Sequence, residues 1–323
     1  MASQGVSAAI GIDLGGTAIK AGLVEKNCKV IFTKSIPTQA ERGVDHVIGS
    51  MATLIKELDV QAIAGSFKVE GVGVGAPGTL SRKDGMVVAP PNLPGWRGVP
   101  LVRMLSEATG FRTLLENDAN NAALGEYRCG AGRGVQHMVM LTLGTGIGGG
   151  IIFGGKLWRG AFENAGEIGH TVLVPEGRKC GCGQLGGLEA YASANATVAR
   201  ALERIEDGES SSLKSLRDEG NEITAESIVE AMQKGDALAT DVWRETCHYL
   251  AIACINVQQL LKPERIVRVG GVSNAGAVLL DTVNKDIEMH ASKSLGDPPE
   301  IRLAELGNDA GFIGSALSVF EEE

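Results

Sequence analysis
The residues with the clearest chemical purpose in this chain are the glycines of two turns and the polar side chains that come after them. The first turn lies in Ala9-Ile-Gly-Ile-Asp-Leu-Gly-Gly-Thr-Ala-Ile-Lys-Ala-Gly-Leu-Val24, the second in Met138-Val-Met-Leu-Thr-Leu-Gly-Thr-Gly-Ile-Gly-Gly-Gly-Ile-Ile-Phe153. A glycine lets backbone N–H groups come close to a phosphate, because no Cβ stands in the way. Two such cradles suggest a polyphosphate gripped from two sides. Asp13, just ahead of the first cradle, is placed to hold a magnesium ion through water.

The type of turn narrows the chemistry. Neither turn contains Gly-Lys-Ser/Thr, so neither is a P-loop. Gly144-Thr-Gly-Ile-Gly-Gly149 matches the dinucleotide fingerprint, but that fingerprint must open a helix. The next segment, Gly150 to Trp158, is β-branched and apolar and reads as a strand. Strand–glycine turn–strand, met twice, is the phosphate arrangement of the actin, hexokinase and heat-shock-ATPase group. The competing reading is two hairpins that serve only as turns.

A second set of residues suits a polyhydroxyl ligand: Asn92, Asn117, Asp118, Glu167, His170 and Glu189. Carboxylates and amides can bond adjacent hydroxyls at once. Asp118 is the candidate general base, since a carboxylate accepts the proton of the attacking hydroxyl in phosphoryl transfer. The competing reading of Asn117-Asp118 is a helix N-cap. His170 with Cys180 and Cys182 suggests a zinc site, although three ligands leave a structural tetrahedron incomplete. Two free thiols, with His170 as a sugar contact only, is the alternative.

These residues need elements to hold them. Strands are expected near Ala9–Ile12, Ala18–Val24, Val30–Ser35, Val69–Val74, Thr113–Leu115 and Arg265–Val269. Helices are expected near Val44–Leu58, Val99–Thr109, Asn120–Tyr127, Leu188–Ile205, Ala225–Lys234, Ala237–Leu261, Ala277–His290 and Gly311–Phe320, the third crossing between domains. Glu206–Glu222 is polar and should be a surface loop or small exposed helix. Three strands followed by α/β alternation imply a mixed sheet covered by helices.

Composition excludes several functions. The 323 residues suffice for two domains, and 44% hydrophobic with 21% charged residues is ordinary for a globular protein. A net charge of −9 without a basic cluster, and only 4% aromatics, argue against nucleic acid. No apolar run approaches the roughly 20 residues needed to span a bilayer, and no export signal opens the chain, so a cytoplasmic protein is expected. The six cysteines are not spaced as a disulfide framework, and most should be free thiols, with Cys247 and Cys254 in the core.

With these motifs in place, the chain resembles the ROK (repressor/open reading frame/kinase) family. The resemblance rests on Asp13-Leu-Gly-Gly-Thr17, Gly75-Ala-Pro-Gly78, Glu116-Asn-Asp-Ala-Asn120, Leu143-Gly-Thr-Gly-Ile-Gly-Gly149, Glu167-Ile-Gly-His170 and Cys180-Gly-Cys-Gly-Gln-Leu-Gly186, in that order. It runs nearly end to end, and Ala89-Pro-Pro-Asn-Leu-Pro-Gly-Trp96 resembles the ATP-dependent glucokinase branch. The resemblance implies an α/β fold of the two-domain actin-like ATPase (ribonuclease H-like) type. A small α/β domain (1–118, joined by the C-terminal helix 310–323) and a large one with long helices (119–309) would close over sugar and ATP.

It further implies ATP:hexose phosphotransfer with Mg²⁺, most readily glucose to glucose 6-phosphate, with Asp118 as the base. Asn92, Asn117, Asp118, Glu167, His170 and Glu189 match sugar contacts, with Gly78 and Gly146 nearby. Asp13, Gly15, Gly16, Thr17 and Lys20 match the first ATP loop; Gly144, Thr145, Gly146 and Gly148 match the second; Gly270, Gly271 and Ser273 match the adenosine side. The family's zinc motif, Cys-x-Cys-Gly-x-x-Gly-Cys-x-Glu, has Gly187 here at its third cysteine, leaving His170, Cys180 and Cys182 as candidate Zn²⁺ ligands. Family members form homo-oligomers, so a dimer or tetramer is implied, without nucleic-acid or membrane partners. A kinase for N-acetylmannosamine, N-acetylglucosamine or fructose is the nearest alternative, and a non-catalytic sugar-responsive regulator a further one. A repressor would need a helix-turn-helix ahead of the first strand, where only about eight residues stand.

Overall fold
The structure, a computed structural model, describes residues 5–90, 92–270 and 277–321. Two compact units emerge: Met1–Gly134 with Gly150–Gly166 and Glu305–Glu323, and Val135–Gly149 with Glu167–Ala304. No helix among the described residues is long and apolar enough to cross a membrane.

The first unit opens with the antiparallel strands β1 (Val6–Leu14), β2 (Ala18–Glu25) and β3 (Val30–Pro37). Helix α1 (Val44–Ala64) leads to β4 (Phe67–Ala76), which pairs parallel with β1. A hairpin of β5 (Thr79–Ser81) and β6 (Met86–Ala89), then α2 (Leu101–Thr109), leads to β7 (Thr113–Asn117) and α3 (Asp118–Cys129). The sheet order is β3-β2-β1-β4-β7. Ala8, Ile10, Ile12 and Leu14 face a core shared with α1 and α2, while Ala9 faces the opposite layer with Leu124 and Phe312. A strand buried on both faces reads as a nearly unbroken apolar run, which is how Ala9–Ile12 was legible.

The chain continues through β8 (Met138–Leu143), β9 (Ile147–Phe153), β10 (Lys156–Leu157), α4 (Glu189–Ala192), α5 (Ala194–Glu206), α6 (Ser212–Asp218), α7 (Ala225–Gln233), α8 (Ala237–Leu261), β11 (Arg265–Val269), α9 (Ala277–His290), β12 (Glu300–Leu303) and α10 (Ala310–Glu321). The second sheet has the order β10-β9-β8-β11-β12. Helices α5 to α8 share a core built around Ala201, Ile228, Ala239 and Val242. Helix α8 starts where the Asp236 side chain accepts from Ala239 N (2.9 Å) and stops at Lys262, whose φ of 47° is left-handed, ahead of Pro263.

Several elements differ from expectation. Helix α1 runs on to Ala64, because Val60 and Ile63 ride on its exposed face rather than marking its end. The single helix expected over Leu188–Ile205 is broken at Ser193, which is extended (φ −71°, ψ 163°) and caps α5 by accepting from Ala196 N. Helix α3, expected to open the large domain, packs on α10 inside the first unit. Cys28 and Cys129, 101 residues apart, form a disulfide, while Cys180, Cys182, Cys247 and Cys254 are free.

The deepest charge inside the second unit is Arg268 of β11, which is fully buried and whose three guanidinium nitrogens have no hydrogen-bond partner among the described residues. Burial lowers its pKa; the nearby thiols of Cys254 and Cys247 oppose this only in part. Replacing a buried, poorly satisfied charge by an apolar chain of similar length is often stabilising, by about 1–4 kcal/mol. Arg268→Met is therefore expected to raise the thermal midpoint, and a lower midpoint by calorimetry would show that the charge is compensated.

Candidate active site
Three parallel strands of the first unit end in one row. The ladders pair Asp13 of β1 with Gly75 of β4, and Gly75 and Ala76 of β4 with Glu116 and Asn117 of β7. Their C-terminal ends deliver Asp13, Gly75-Ala-Pro-Gly78 and Glu116-Asn117-Asp118 to one edge of the sheet. That edge is where open α/β sheets bind ligands.

The first cradle is the tight β1–β2 turn. Gly15 N donates to Ala18 O (3.0 Å), and Thr38 ties the turn down by donating its hydroxyl to Gly15 O (2.7 Å) and its amide to Thr17 O (2.9 Å). A Cβ on Gly16 would lie 3.0 Å from the Cβ of Asn92, so Asn92 packs directly on the cradle. Lys20 faces Asp13 across the ladder and donates from Nζ to Asn308 O (3.1 Å). Asp13 keeps some solvent access, yet burial raises its carboxyl pKa and Lys20 only partly offsets this. Gly311 of α10 stands so close that a Cβ there would lie 2.6 Å from Asp13 Oδ2.

Asp118 is the first residue of α3. Asn117 does cap that helix, its side chain accepting from Ala119 N (3.0 Å) and Asn120 N (3.2 Å). Asp118 Oδ1 also accepts from Ala119 N (2.8 Å). Asn117 thus supplies the cap, and the cap fixes the backbone that carries Asp118. Gly78, with φ 79°, makes the left-handed turn after β4.

Two residues before Asp118, Glu116 gathers a knot of partners that the sequence did not disclose. Glu116 is 3% exposed and accepts from Arg159 Nε (2.6 Å), Asn120 Nδ2 (3.0 Å) and Asn117 N (2.9 Å), with Arg82 Nε 3.1 Å away. Such charge-assisted hydrogen bonds offset the cost of placing a carboxylate so deep. Arg82 and Arg159 stand 34 and 43 residues from Glu116, and no local spacing marks them.

In the second unit, the second cradle, three of the polar candidates (Glu167, His170 and Glu189) and the two candidate cysteines form one cluster. Gly144 N donates to Gly146 O (3.0 Å), and Gly148 N to Thr142 Oγ1 (2.9 Å), with Thr145 at the tip. Glu189 Oε2 accepts from Ile147 N (2.9 Å), and a Cβ on Gly146 would lie 2.4 Å from that oxygen. Cys180 Sγ is 3.7 Å from Glu189 Oε1 and 3.3 Å from His170 Nδ1. His170 Nε2 is 3.9 Å from Glu167 Oε2. The donor atoms of His170, Cys180 and Cys182 all lie within 4.8 Å of one another, and burial pushes the Cys180 thiol up to about 11. Gly270, with φ 115°, packs on Leu143 just before the cradle. Gly271 and Ser273 lie outside the described residues.

The match to known proteins runs the length of the chain. The ROK family model covers residues 9–322. The chain belongs to the ROK family. A glucokinase of Halalkalibacterium halodurans is 37% identical over 97% of this chain and 95% of its own length. The ROK family glucokinase of Streptomyces griseus, solved with glucose and AMPPNP, is 35% identical, with a TM-score of 0.78 over 96% of this chain and 98% of that one. The ROK hexokinase of Thermus thermophilus gives a TM-score of 0.83 at 31% identity over 98% of both chains. The chain thus has the two-sheet, actin-like ATPase fold of the ROK hexokinases and glucokinases, and its likeness to the glucokinases, rather than family membership alone, supports a sugar kinase.

The raised Asp13 pKa has a testable sign. A carboxyl raised in the folded state contributes stability that is full below its unfolded pKa and is lost as pH rises through the folded one. Asp13→Asn removes that loss. The variant is expected to melt above the parent protein at pH 7–8, with the gap closing as pH falls toward the acid range. A gap that is constant from pH 4 to 8, or reversed, would remove burial as the cause.

Proposed function
We propose that this ROK protein transfers the γ-phosphoryl group of ATP to the 6-hydroxyl of glucose. The observation that carries the reading is the shared sheet edge, which presents Asp13, the first cradle and the Glu116-Asn117-Asp118 segment together. The glucokinase relatives, one of them holding glucose and AMPPNP, support both substrates.

In this reading the hydroxyl oxygen of the sugar forms the new bond to phosphorus as the bond to ADP breaks. Asp118 accepts the hydroxyl proton and later releases it to solvent. Asn92, Asn117, Glu167, His170 and Glu189, with Gly78 and Gly146, orient the sugar. Gly15, Gly16, Thr17 and Lys20, then Gly144 to Gly148, and on the adenosine side Gly270, Gly271 and Ser273, hold the nucleotide. Asp13 would hold Mg²⁺ through water, and that ion when bound neutralises phosphate charge. Little covalent work falls to the protein, so rigid positioning by the Asn117 cap and the Glu116 knot matters most. Asp118→Asn is expected to cut kcat at least ~10²-fold with sugar binding partly kept. A coupled ADP-release assay should rank glucose first in kcat/KM over N-acetylglucosamine, N-acetylmannosamine, mannose and fructose. Near-normal turnover of the variant would remove the base assignment, and a better acetylated sugar or fructose would remove glucose as the substrate.

The His170, Cys180 and Cys182 donors suit zinc, with water as the fourth ligand. A Cβ at Gly187 would lie 3.4 Å from Cys180 Sγ, so a side chain there would point into the donor set. Bound zinc would brace the loop between His170 and Glu189. Gly187→Cys is expected to tighten zinc by ~10-fold or more in competition with a chelator. An unchanged affinity would show that this position does not address the metal.

A further inference from the structure
A second cluster of metal-ligating side chains lies apart from both cradles and from the sugar-side candidates in the chain. His248 stands on α8, while Asp286 and His290 stand one turn apart on the same face of α9. Each offers one donor atom, and the three atoms lie within 4.8 Å of one another. His248 Nδ1 is 2.8 Å from Asp286 Oδ2, and Asp286 Oδ1 is 3.9 Å from His290 Nε2. The carboxylate therefore stands between two imidazoles, whose rings meet edge to face with centroids 5.3 Å apart.

Ligands at about 2.0–2.1 Å from a tetrahedral zinc are ~3.3 Å from each other. That spacing falls between the 2.8 Å and 3.9 Å separations seen here, so the donors already stand near the distances a bound metal would impose. Side-chain exposures of 41% for His248, 17% for Asp286 and 51% for His290 leave a path for the ion without opening the core. Two neutral imidazoles and one carboxylate form a nitrogen-rich set that prefers zinc and its transition-metal neighbours to magnesium or calcium.

We propose that His248, Asp286 and His290 form a surface zinc site that clasps α8 to α9, with water completing the coordination. The ion would replace the hydrogen bond between His248 and Asp286 by bonds to both, and would recruit His290 as the third ligand. It would stabilise the folded chain by mass action, because the unfolded chain does not gather these three groups.

The test separates this site from the cysteine-containing one. Chelator-stripped Cys180→Ser/Cys182→Ser protein should bind one zinc per chain in equilibrium dialysis. Saturating zinc should raise its melting temperature by about 4 °C or more. Adding His248→Gln and His290→Gln should abolish both effects. Should the cysteine variant fail to fold, the same histidine substitutions in the otherwise unaltered chain should lower the zinc count by one. With cobalt as the probe, they should leave any thiolate-to-metal absorption in place. A zinc count and melting temperature untouched by the histidine substitutions would overturn the proposal.

Discussion

Backbone-to-backbone contact around the C-terminal helix is the constraint on which the first unit depends. A Cβ on Gly11 of β1 would lie 1.8 Å from Phe312 O, one on Gly73 of β4 1.7 Å from Ser315 O, and one on Gly314 of α10 1.7 Å from Asn121 O. Helix α10 thus lies directly on the sheet and on α3, closer than any side chain permits. Close packing of this kind has few alternative arrangements, because a shift of one element meets main-chain atoms that cannot rotate aside. Ser315 adds a polar stitch, its hydroxyl accepting from Asn121 Nδ2 (2.8 Å) and donating to Gly311 O (2.9 Å). The three strand ends and the start of α3 inherit that rigidity. So do Asp13 and Asp118, which stand on them.

Two carboxylates at this edge show how environment divides roles. Glu116 is almost wholly buried, but two arginines, an amide side chain and a backbone N–H surround it. Its charge is satisfied, so it serves as an anchor. Asp13 has a lysine across the ladder and a helix glycine pressed against its carboxylate, and burial still raises its pKa. An under-compensated carboxylate gains from a nearby cation, as the proposed magnesium-side role would require.

The second unit solves a different problem. Its cradle is braced by a side chain, Glu189, whose carboxylate reaches Ile147 N from the opposite end of a long loop. Ala194 N reaches Gly144 O (2.9 Å) from the same region. The loop bearing His170 and Cys180 is packed in through Gly169, where a Cβ would lie 2.0 Å from Ile147 O. The second cradle and the sugar-side candidates His170 and Glu189 of this unit are therefore mechanically one piece. A shift in either is transmitted by hydrogen bonds and main-chain contacts rather than by solvent.

Local physics made much of this legible in advance. Glycines between strand-like runs marked both cradles, apolar periodicity marked α8 and α9 to the residue, and Asn-Asp after a short strand marked both the cap of α3 and its candidate base. Motif order marked the family. What stayed hidden depends on contacts between distant positions. Arg82 and Arg159 meet Glu116, Cys28 meets Cys129, and Gly311 meets Asp13 only once the chain has folded. The break at Ser193 was hidden because Glu189-Ala-Tyr-Ala-Ser-Ala-Asn-Ala reads as one helix by propensity, whereas the bond from Ala194 N to Gly144 O requires a bend. Residue types and spacing by themselves determined which chemistry this chain carries. Tertiary structure alone decided which partners hold each group in place, because those partners are chosen by proximity in space, and local sequence periods carry no record of it.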